Sequence, residues 1–311
     1  MHMRIIFAGT PEFAAHALAA LLASRHEVVL VLTQPDRPSG RGMRTLPSAV
    51  KQLAMQHCLA LYQPKTLRDV AEHRLLVESG ADIMIVAAYG LILPQAVLDI
   101  PRWGAINIHA SILPKWRGAA PIQRALLAGD SNTGISIMRM DAGLDTGPII
   151  QIEETPIGDS DTAQTLHDRL ADMGARLVLD ALDRFERGSI KLIPQTVDNA
   201  HYAPKIAKSE ARIDWTREST YIWRQIRAFN PSPGAATHLR ETEVKIWQAK
   251  LASAWTGSGG EILQAGANGL LVACGSGALL LEQLQKPGGK RLQTVEFLRG
   301  FPVAPGEFFA S

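Results

Sequence analysis

The 311-residue chain is poor in cysteine and has no long hydrophobic run. Its two cysteines, Cys58 and Cys274, lie far apart and form no Cys-x-x-Cys motif, which argues against a disulfide framework and against a zinc site of the usual spacing. The longest uncharged run, residues 262–281, contains polar residues and four glycines, and therefore predicts two strands and a turn instead of a membrane span. Because the N-terminal residues contain no long apolar stretch, no signal peptide is expected, and the predicted location is cytoplasmic.

The sequence also lacks the glycine-rich loops that bind nucleotides. The turn after the first predicted strand, residues 8–13, contains one glycine where a dinucleotide-binding fingerprint needs three, and no P-loop motif occurs there. Glu12 would repel a phosphate at the start of the following helix, which we expect Thr10 to cap. Binding of NAD, FAD or ATP is therefore disfavoured.

Charge of one sign is not in large excess, since the net charge is +2. From residue 189 onward there are 14 Lys and Arg residues against 10 Asp and Glu residues, so the C-terminal part is mildly basic. This balance is compatible with a nucleic-acid partner, but an ordinary solvated surface would give the same balance.

What the sequence does contain is an alternation of strand and helix patterns over its first 188 residues. Buried strands are predicted at residues 28–33, 83–88, 106–110 and 135–140. These runs are apolar at consecutive positions, which is typical of a parallel sheet covered on both faces. We predict a Rossmann-like, doubly wound, mostly parallel α/β domain over residues 1–188. A linker is predicted over residues 189–209, and the short strands and glycines beyond it predict a small β-barrel over residues 210–311.

The densest polar cluster lies at the end of one of these strands. Asn107 and His109 are two positions apart, so on a strand they lie on the same face. A second strand is followed by Asp141 and Asp145, and we expect both segments to leave the sheet at one edge, where ligands bind in open α/β folds. An amide, an imidazole and a carboxylate together suit acyl transfer. A structural histidine with an Asp-rich turn elsewhere is the alternative that spacing alone leaves open.

Several motifs together resemble those of the folate-dependent formyltransferases over nearly the whole chain. They are Asn107-x-His109-x-Ser111-x-Leu113-Pro114, Arg117-Gly118, Pro121-Ile122, Asp141-x-Gly143-x-Asp145-x-Gly147, the loop over residues 35–51, and residues 211–215 and 227–231. The resemblance implies that Asn107, His109 and Asp145 are the catalytic residues. It also implies an OB-like fold and a tRNA-binding role for the C-terminal barrel. Within this family, the loop over residues 35–51 and the C-terminal part are most similar to those of the members that act on an aminoacylated tRNA.

The same resemblance implies the formyl donor and the roles of the catalytic residues. The donor would be the cosubstrate 10-formyltetrahydrofolate, and no metal is implied. Its predicted binding residues are Ser111, Ile112, Leu113 and Pro114 in one segment and Tyr89, Gly90 and Leu91 in another. Asp145 would accept the proton of the attacking amine, while Asn107 and His109 would stabilise the oxyanion.

The implied acceptor is the α-amine of initiator methionyl-tRNA. The loop over residues 35–51 carries four cationic side chains against one acidic side chain, a composition suited to phosphate contacts. Arg41 and Arg44 of this loop are the predicted tRNA-binding residues, and Arg41 matches an important arginine of the family. Lys205, near the start of the second domain, resembles a further tRNA-contacting position.

Other enzymes that use formylated folate are the nearest alternatives. They are sugar-nucleotide formyltransferases, glycinamide ribonucleotide formyltransferase and formyltetrahydrofolate hydrolase. A sugar-nucleotide enzyme would not need the Arg-rich loop, and the short purine enzyme would lack residues 210–311. A catalytically inactive RNA-binding module is the alternative from a different class, and it is disfavoured because all three catalytic residues are present. The sequence shows no conspicuous apolar helix for pairing, which favours a monomer.

Overall fold

Two compact units make up the protein, which a computed structural model describes over residues 2–39, 44–196, 198–252 and 257–310. The first unit consists of residues 1–121, 132–156 and 167–203, and the second of residues 122–131, 157–166 and 204–311. The segment predicted as a linker is thus divided between the units at residues 203 and 204. Within the described ranges, no helix combines the length and the apolar character needed to cross a bilayer.

A seven-stranded sheet forms the frame of the first unit. In chain order the strands of this unit are β1 (Arg4–Gly9), β2 (Glu27–Leu32), β3 (Arg37–Ser39), β4 (Arg44–Leu46), β5 (Leu61–Tyr62), β6 (Ile83–Ala87), β7 (Ala105–His109), β8 (Arg117–Gly118), β9 (Asn132–Arg139), β10 (Ile149–Pro156) and β11 (Tyr202–Ala203). The large sheet has the order β10-β9-β7-β6-β1-β2-β5, while β3–β4 and β8–β11 form separate pairs. In this order the five strands β7, β6, β1, β2 and β5 are parallel to one another, so the predicted mostly parallel sheet is confirmed.

Six α-helices connect or follow these strands. They are α1 (Glu12–Leu22), α2 (Ala49–Gln56), α3 (Arg74–Glu78), α4 (Gln95–Leu98), α5 (Pro121–Ala128) and α6 (Ala163–Glu186). After its first residue α5 belongs to the second unit, as do residues 163–166 of α6. Helix α6 packs very closely on β7, because a Cβ atom at Gly174 would lie only 2.7 Å from Cγ2 of Ile108. A glycine inside a helix costs about 1 kcal/mol relative to alanine. The close approach of α6 to the strand that carries Asn107 and His109 therefore depends on Gly174.

The strand that leads to Asp145 corrects one expectation. Strand β9 is antiparallel to β7, with His109 opposite Ser136, and its carboxyl end therefore lies beside the amino end of β7. There the Met140 N–H donates to the Ala105 carbonyl over 2.8 Å. The expectation that the loop with Asp145 leaves the sheet at the same edge as His109 is wrong. Buried strands are apolar in both directions, so their composition does not reveal this reversal.

A second sheet, whose strand pairs are all antiparallel, forms the frame of the second unit. Its strands are β12 (Ala235–Leu239), β13 (Thr242–Ala252), β14 (Ile262–Gly266), β15 (Gly269–Ala273), β16 (Ala278–Gln285), β17 (Leu292–Gln293) and β18 (Phe309–Ala310), and its helices are α7 (Ser219–Ala228) and α8 (Thr294–Gly300). The order is β14-β15-β16-β13-β12-β18, with β17 beside β16. An isolated bridge between Glu261 and Phe308 brings the two ends of this order together. The predicted barrel is thus a curled half-barrel.

Trp215 links the beginning of this unit's main segment to its last strand. Its buried indole stacks on Phe309 with ring centroids 5.5 Å apart, and its Nε1–H donates to Oγ1 of Thr237 over 2.9 Å. The Thr237 hydroxyl in turn donates to the Ala310 carbonyl over 2.8 Å. One fully buried hydroxyl therefore joins the indole to β18.

Replacing Thr237 by valine should destabilise the second unit without changing its shape. The Thr237→Val side chain keeps the branched form but neither accepts from the Trp215 indole nor donates to the Ala310 carbonyl. We expect the free energy of unfolding to fall by about 1–3 kcal/mol, measured by urea denaturation. Thr237→Ser, which keeps the hydroxyl, should lose clearly less; equal losses in the two variants would contradict this role of the hydroxyl.

Candidate active site

An amide, an imidazole and a carboxylate meet beside β7. Asn107 and His109 both face Asp145, as their spacing on one strand predicts. The Asn107 Nδ2–H donates to Asp145 Oδ1 over 3.2 Å, and His109 Nδ1 lies 3.6 Å from Asp145 Oδ2. Asn107 and His109 are buried, and the side chain of Asp145 is 12% exposed. The three residues predicted as catalytic are therefore neighbours in the fold.

The second ring nitrogen of His109 has a backbone partner. Nε2 lies 2.9 Å from the carbonyl oxygen of Trp116. Because a carbonyl oxygen only accepts hydrogen bonds, Nε2 carries the hydrogen and donates it. Nδ1 is therefore the ring nitrogen that can gain or lose a proton, and it is the nitrogen that faces Asp145.

The two aspartates of the loop after β9 have different tasks. Asp141 shapes the loop, because its Oδ1 accepts from the Gly143 N–H over 3.0 Å and from the Thr146 hydroxyl over 2.7 Å. Asp145 has a left-handed backbone with φ of 53°, and its Oδ2 accepts from the Gly118 N–H over 2.8 Å. The structure thus directs the second carboxylate, and not the first, toward Asn107 and His109.

The predicted folate-binding segment after β7 forms a compact turn. Ser111 is fully buried, and its hydroxyl donates to the Lys115 carbonyl over 2.6 Å, so this hydroxyl shapes the turn. Leu113 is buried as well, whereas Ile112 and Pro114 are partly exposed. Ile112 and Pro114 are thus the side chains of this segment that a ligand can reach.

Ser136 on β9, which is not among the predicted site residues, supports this turn. Its fully buried hydroxyl donates to the Ser111 carbonyl over 2.7 Å and accepts from the Leu113 N–H over 3.1 Å. The signal was available, because a serine between Ile135 and Ile137 in a buried strand must find polar partners.

The second predicted folate-binding segment, after β6, is tied to two other loops. The Tyr89 carbonyl accepts from the Thr10 hydroxyl over 2.9 Å and from the Gln34 amide over 3.0 Å. The expectation that Thr10 caps α1 is therefore wrong, and α1 begins without a side-chain cap. Tyr89 is buried, whereas Gly90 is exposed and Leu91 is partly exposed, so a ligand can reach the backbone at these two residues.

The predicted tRNA-binding residues lie on different parts of the chain. Arg41 lies outside the described residues. Arg44 begins β4, where its backbone is opposite Ser39. Lys205 is exposed, and its carbonyl accepts from the Arg124 guanidinium over 3.5 Å. The structure therefore describes the side chain of Lys205 alone among the three.

Lys51, one of the four cationic residues of the 35–51 loop, has a partner within the protein. It belongs to α2, and its ammonium group pairs with the carboxylate of Asp36. The Gln63 amide donates to the same carboxylate over 2.9 Å. These hydrogen bonds, chiefly that of Lys51, lower the pKa of Asp36 below its usual value. Lys51 thus anchors the base of the loop.

The chemistry available in the cluster is proton transfer and hydrogen bonding to an oxyanion. Asp145 offers a carboxylate, His109 offers a nitrogen that exchanges a proton, and Asn107 offers amide hydrogens. In the ranges that the structure describes, no three His, Cys, Asp or Glu side chains gather closely enough to hold a metal ion. This set of groups suits the transfer of an acyl group to a nucleophile.

Family models match both parts of the chain. A model described as formyl transferase matches residues 3–182, and one described as formyl transferase, C-terminal domain, matches residues 205–302. The first match contains the α/β sheet that carries Asn107 and His109, and the second contains the half-barrel except for its last strand, β18. The chain belongs to the formyltransferase family.

Full-length relatives define its place within that family. The methionyl-tRNA formyltransferase of Aromatoleum aromaticum is 55% identical over 307 residues, which cover 99% of this chain and 97% of that protein. The methionyl-tRNA formyltransferase of Nitrosomonas eutropha is 56% identical over 310 residues, which cover 99% and 98% of the two chains. Within the family, the chain therefore groups with the methionyl-tRNA formyltransferases.

Solved structures share the fold at lower identity. HypX from Aquifex aeolicus, in complex with tetrahydrofolic acid, is 20% identical with a TM-score of 0.65, and the match covers 100% of this chain and 51% of HypX. An N-formyltransferase from Helicobacter canadensis, in complex with folinic acid and dTDP-3-aminofucose, is also 20% identical with a TM-score of 0.65, over 92% and 100% of the two chains.

Removing the Ser136 hydroxyl should loosen the turn after β7. Ser136→Ala leaves the Leu113 N–H and the Ser111 carbonyl without this partner, and we expect the free energy of unfolding to fall by about 1–3 kcal/mol in urea. Since this turn is a predicted folate-binding segment, calorimetry should also show weaker binding of tetrahydrofolate. Ser131→Ala, at an exposed serine just before β9, is the control and should change neither quantity. Unchanged stability of Ser136→Ala would refute this role.

Proposed function

We propose that the protein transfers the formyl group of 10-formyltetrahydrofolate to the α-amine of initiator methionyl-tRNA. The observation that carries the proposal is the Asp145 carboxylate beside Asn107 and His109, in a chain that is related over its full length to methionyl-tRNA formyltransferases. Since the acceptor is a charged initiator tRNA, we infer that the reaction takes place in the cytoplasm, where that tRNA serves translation.

The formyl donor would lie where β6 and β7 end. Exposed Gly90 presents its backbone there, and Leu91, Ile112 and Pro114 present partly exposed apolar side chains. A flat heterocycle with polar edges fits a site of this composition. When bound, 10-formyltetrahydrofolate supplies a formyl carbon attached to nitrogen, which is the electrophile of the reaction.

Asp145 would take a proton from the attacking amine. A model α-amine has a pKa of about 7.7–8.0, so at neutral pH most of the acceptor carries a proton that must be removed before attack. The Asp145 carboxylate accepts hydrogen bonds from Asn107 and Gly118, which fix its orientation and leave further lone pairs for the amine. His109 Nδ1, 3.6 Å from Asp145 Oδ2, would take this proton from Asp145 and pass it to the folate nitrogen as the bond between that nitrogen and the formyl carbon breaks. The second proton that the amine loses on forming the amide leaves to solvent.

Asn107 would stabilise the oxyanion. Its Nδ2 carries two hydrogens, and one of them is donated to Asp145. The other hydrogen is then available to the formyl oxygen as negative charge develops on it. The bond to Asp145 fixes the amide in advance, so little reorganisation is needed during the reaction.

The tRNA would be contacted by cationic residues outside this cluster. Arg41 and Arg44 belong to the loop whose base is anchored by the pair of Asp36 and Lys51. Lys205 extends from the second unit, where its backbone is held by Arg124. Neutralisation of phosphates by such side chains would provide affinity for tRNA and a marked dependence on salt concentration.

The proposed reaction is tested by a transfer assay with labelled 10-formyltetrahydrofolate. Methionylated initiator tRNA, methionylated elongator tRNA and free methionine are offered as acceptors. We expect formylation of the initiator tRNA, because contacts with tRNA would select the acceptor. Transfer to a sugar nucleotide, or release of formate to water, with no transfer to any tRNA would favour the alternative formyl-folate enzymes instead.

Removing the amide of Asn107 should slow the chemical step. Loss of one preorganised oxyanion donor typically costs on the order of a hundredfold in turnover, so Asn107→Ala should lower kcat by about that factor. The measurement is steady-state transfer with both substrates saturating. Asn132→Ala, at an exposed asparagine that begins β9, is the matched control and should keep the wild-type rate. A wild-type kcat for Asn107→Ala would rule out the assigned role.

A further inference from the structure

We infer that Gln195 is a positioning residue for Asp145, an inference that rests on the proposed function. Gln195 lies between the long helix α6 and strand β11, in a segment where the sequence shows no periodic pattern. It touches none of the groups proposed to meet the substrates. Its effect is exerted on the backbone that holds the Asp145 carboxylate in place.

The side chain of Gln195 uses its full hydrogen-bonding capacity. Its Nε2 donates to the carbonyl oxygens of Asp145 over 2.9 Å and of Gly147 over 2.7 Å. Its Oε1 accepts from Nε of Arg117 over 3.1 Å and from Nη2 of the same residue over 2.7 Å. A primary amide has two hydrogens and two acceptor lone pairs, so all four positions are occupied.

Gln195 joins the two segments of the chain that present the Asp145 carboxylate. The first is the loop after β9, which carries Asp145 itself. The second is β8, where Arg117 precedes Gly118, and the Gly118 N–H donates to Asp145 Oδ2 over 2.8 Å. The Gln195 amide therefore links the backbone of the loop to the side chain of Arg117, whose neighbour Gly118 hydrogen-bonds to the carboxylate.

The backbone of Asp145 needs such support. Its φ of 53° lies in the left-handed region, which residues other than glycine adopt uncommonly. The bond from Gln195 to the Asp145 carbonyl and the neighbouring bond to the Gly147 carbonyl hold this conformation. Without them, the carboxylate would keep its partners Asn107 and Gly118 but would lose the support of its own backbone.

The segment that carries Gln195 is fixed on both sides. Before it, Ile193 forms a bridge with Ile149 through hydrogen bonds of 2.8 and 2.9 Å. After it, β11 pairs with β8, and the Arg117 N–H donates to the His201 carbonyl over 2.9 Å. Gln195 is thus held in register with Asp145, which is what a positioning role requires.

Two substitutions distinguish the donor end of the Gln195 amide from its acceptor end. Gln195→Ala removes all four hydrogen bonds. Gln195→Glu keeps an acceptor for Arg117 and replaces the donor by an oxygen that repels the carbonyls of Asp145 and Gly147. We expect kcat to fall about fivefold or more in both variants, because the loop that carries Asp145 loses both of its hydrogen bonds to Gln195, with both KM values changed by less than about threefold. Thr196→Ala, at the next residue, is the control and should keep the wild-type kcat.

A double-mutant cycle with Asp145 distinguishes positioning from general support of the fold. Single-turnover rates are measured for Gln195→Glu, for Asp145→Asn and for the double variant, at a temperature where unfolding scans show each variant folded. If Gln195 acts through Asp145, its replacement should cost less than about threefold once the carboxylate is gone. The same factor in both backgrounds, or a wild-type kcat for Gln195→Glu, would overturn the inference.

The outcome for Gln195 can be told apart from the outcome for the proposed function. A wild-type protein that forms no formylmethionyl-tRNA removes the proposed function and, with it, the role of Gln195. An active wild-type protein with fully active Gln195 variants removes the positioning role alone. Gln195→Glu is nearly isosteric with the native residue, so the test stands even where Gln195→Ala fails to fold.

Discussion

The candidate active site of the first unit depends on the orientation of one carboxylate, that of Asp145. Asp145 accepts from a side chain on β7 and from the backbone of β8, while its own backbone is in the left-handed region. The Gln195 amide donates to the carbonyls of Asp145 and Gly147, so three different parts of the chain support this residue. The carboxylate is held in one position by the sheet, the loop after β9 and the segment before β11. A change in any of these three parts can displace it.

The parts of this arrangement that follow a local pattern were predictable. Consecutive apolar residues predict buried strands, and the i, i+2 spacing of Asn107 and His109 predicts that they share a face. Spacing did not distinguish Asp141 from Asp145, because both follow the same strand. The choice depends on the path of the loop, and that path depends on the antiparallel direction of β9, which the composition of a buried strand does not reveal.

The supporting hydrogen bonds were harder to predict, since they join residues that are distant in sequence. Thr10 has the position of a helix cap, yet its hydroxyl donates to Tyr89, 79 positions away. Ser136 did leave a signal as a polar residue in an apolar strand, whereas Gln195 left none, because a polar residue in an irregular segment is ordinary. The hydrogen-bond partners of such residues are set by the tertiary structure and not by local propensity.

The meeting of the two ends of the second sheet has a consequence for its behaviour in solution. The Ile262 N–H donates to the Glu307 carbonyl and the Phe309 N–H donates to the Gly260 carbonyl, each over 2.8 Å. Backbone groups at the outer edges of β14 and β18 are thereby paired within the chain. A free strand edge is a template for association with another chain. Because these edges are hydrogen-bonded to each other at Ile262 and Phe309, they are not free there to pair with a strand of another chain. This pairing protects the half-barrel against edge-to-edge aggregation.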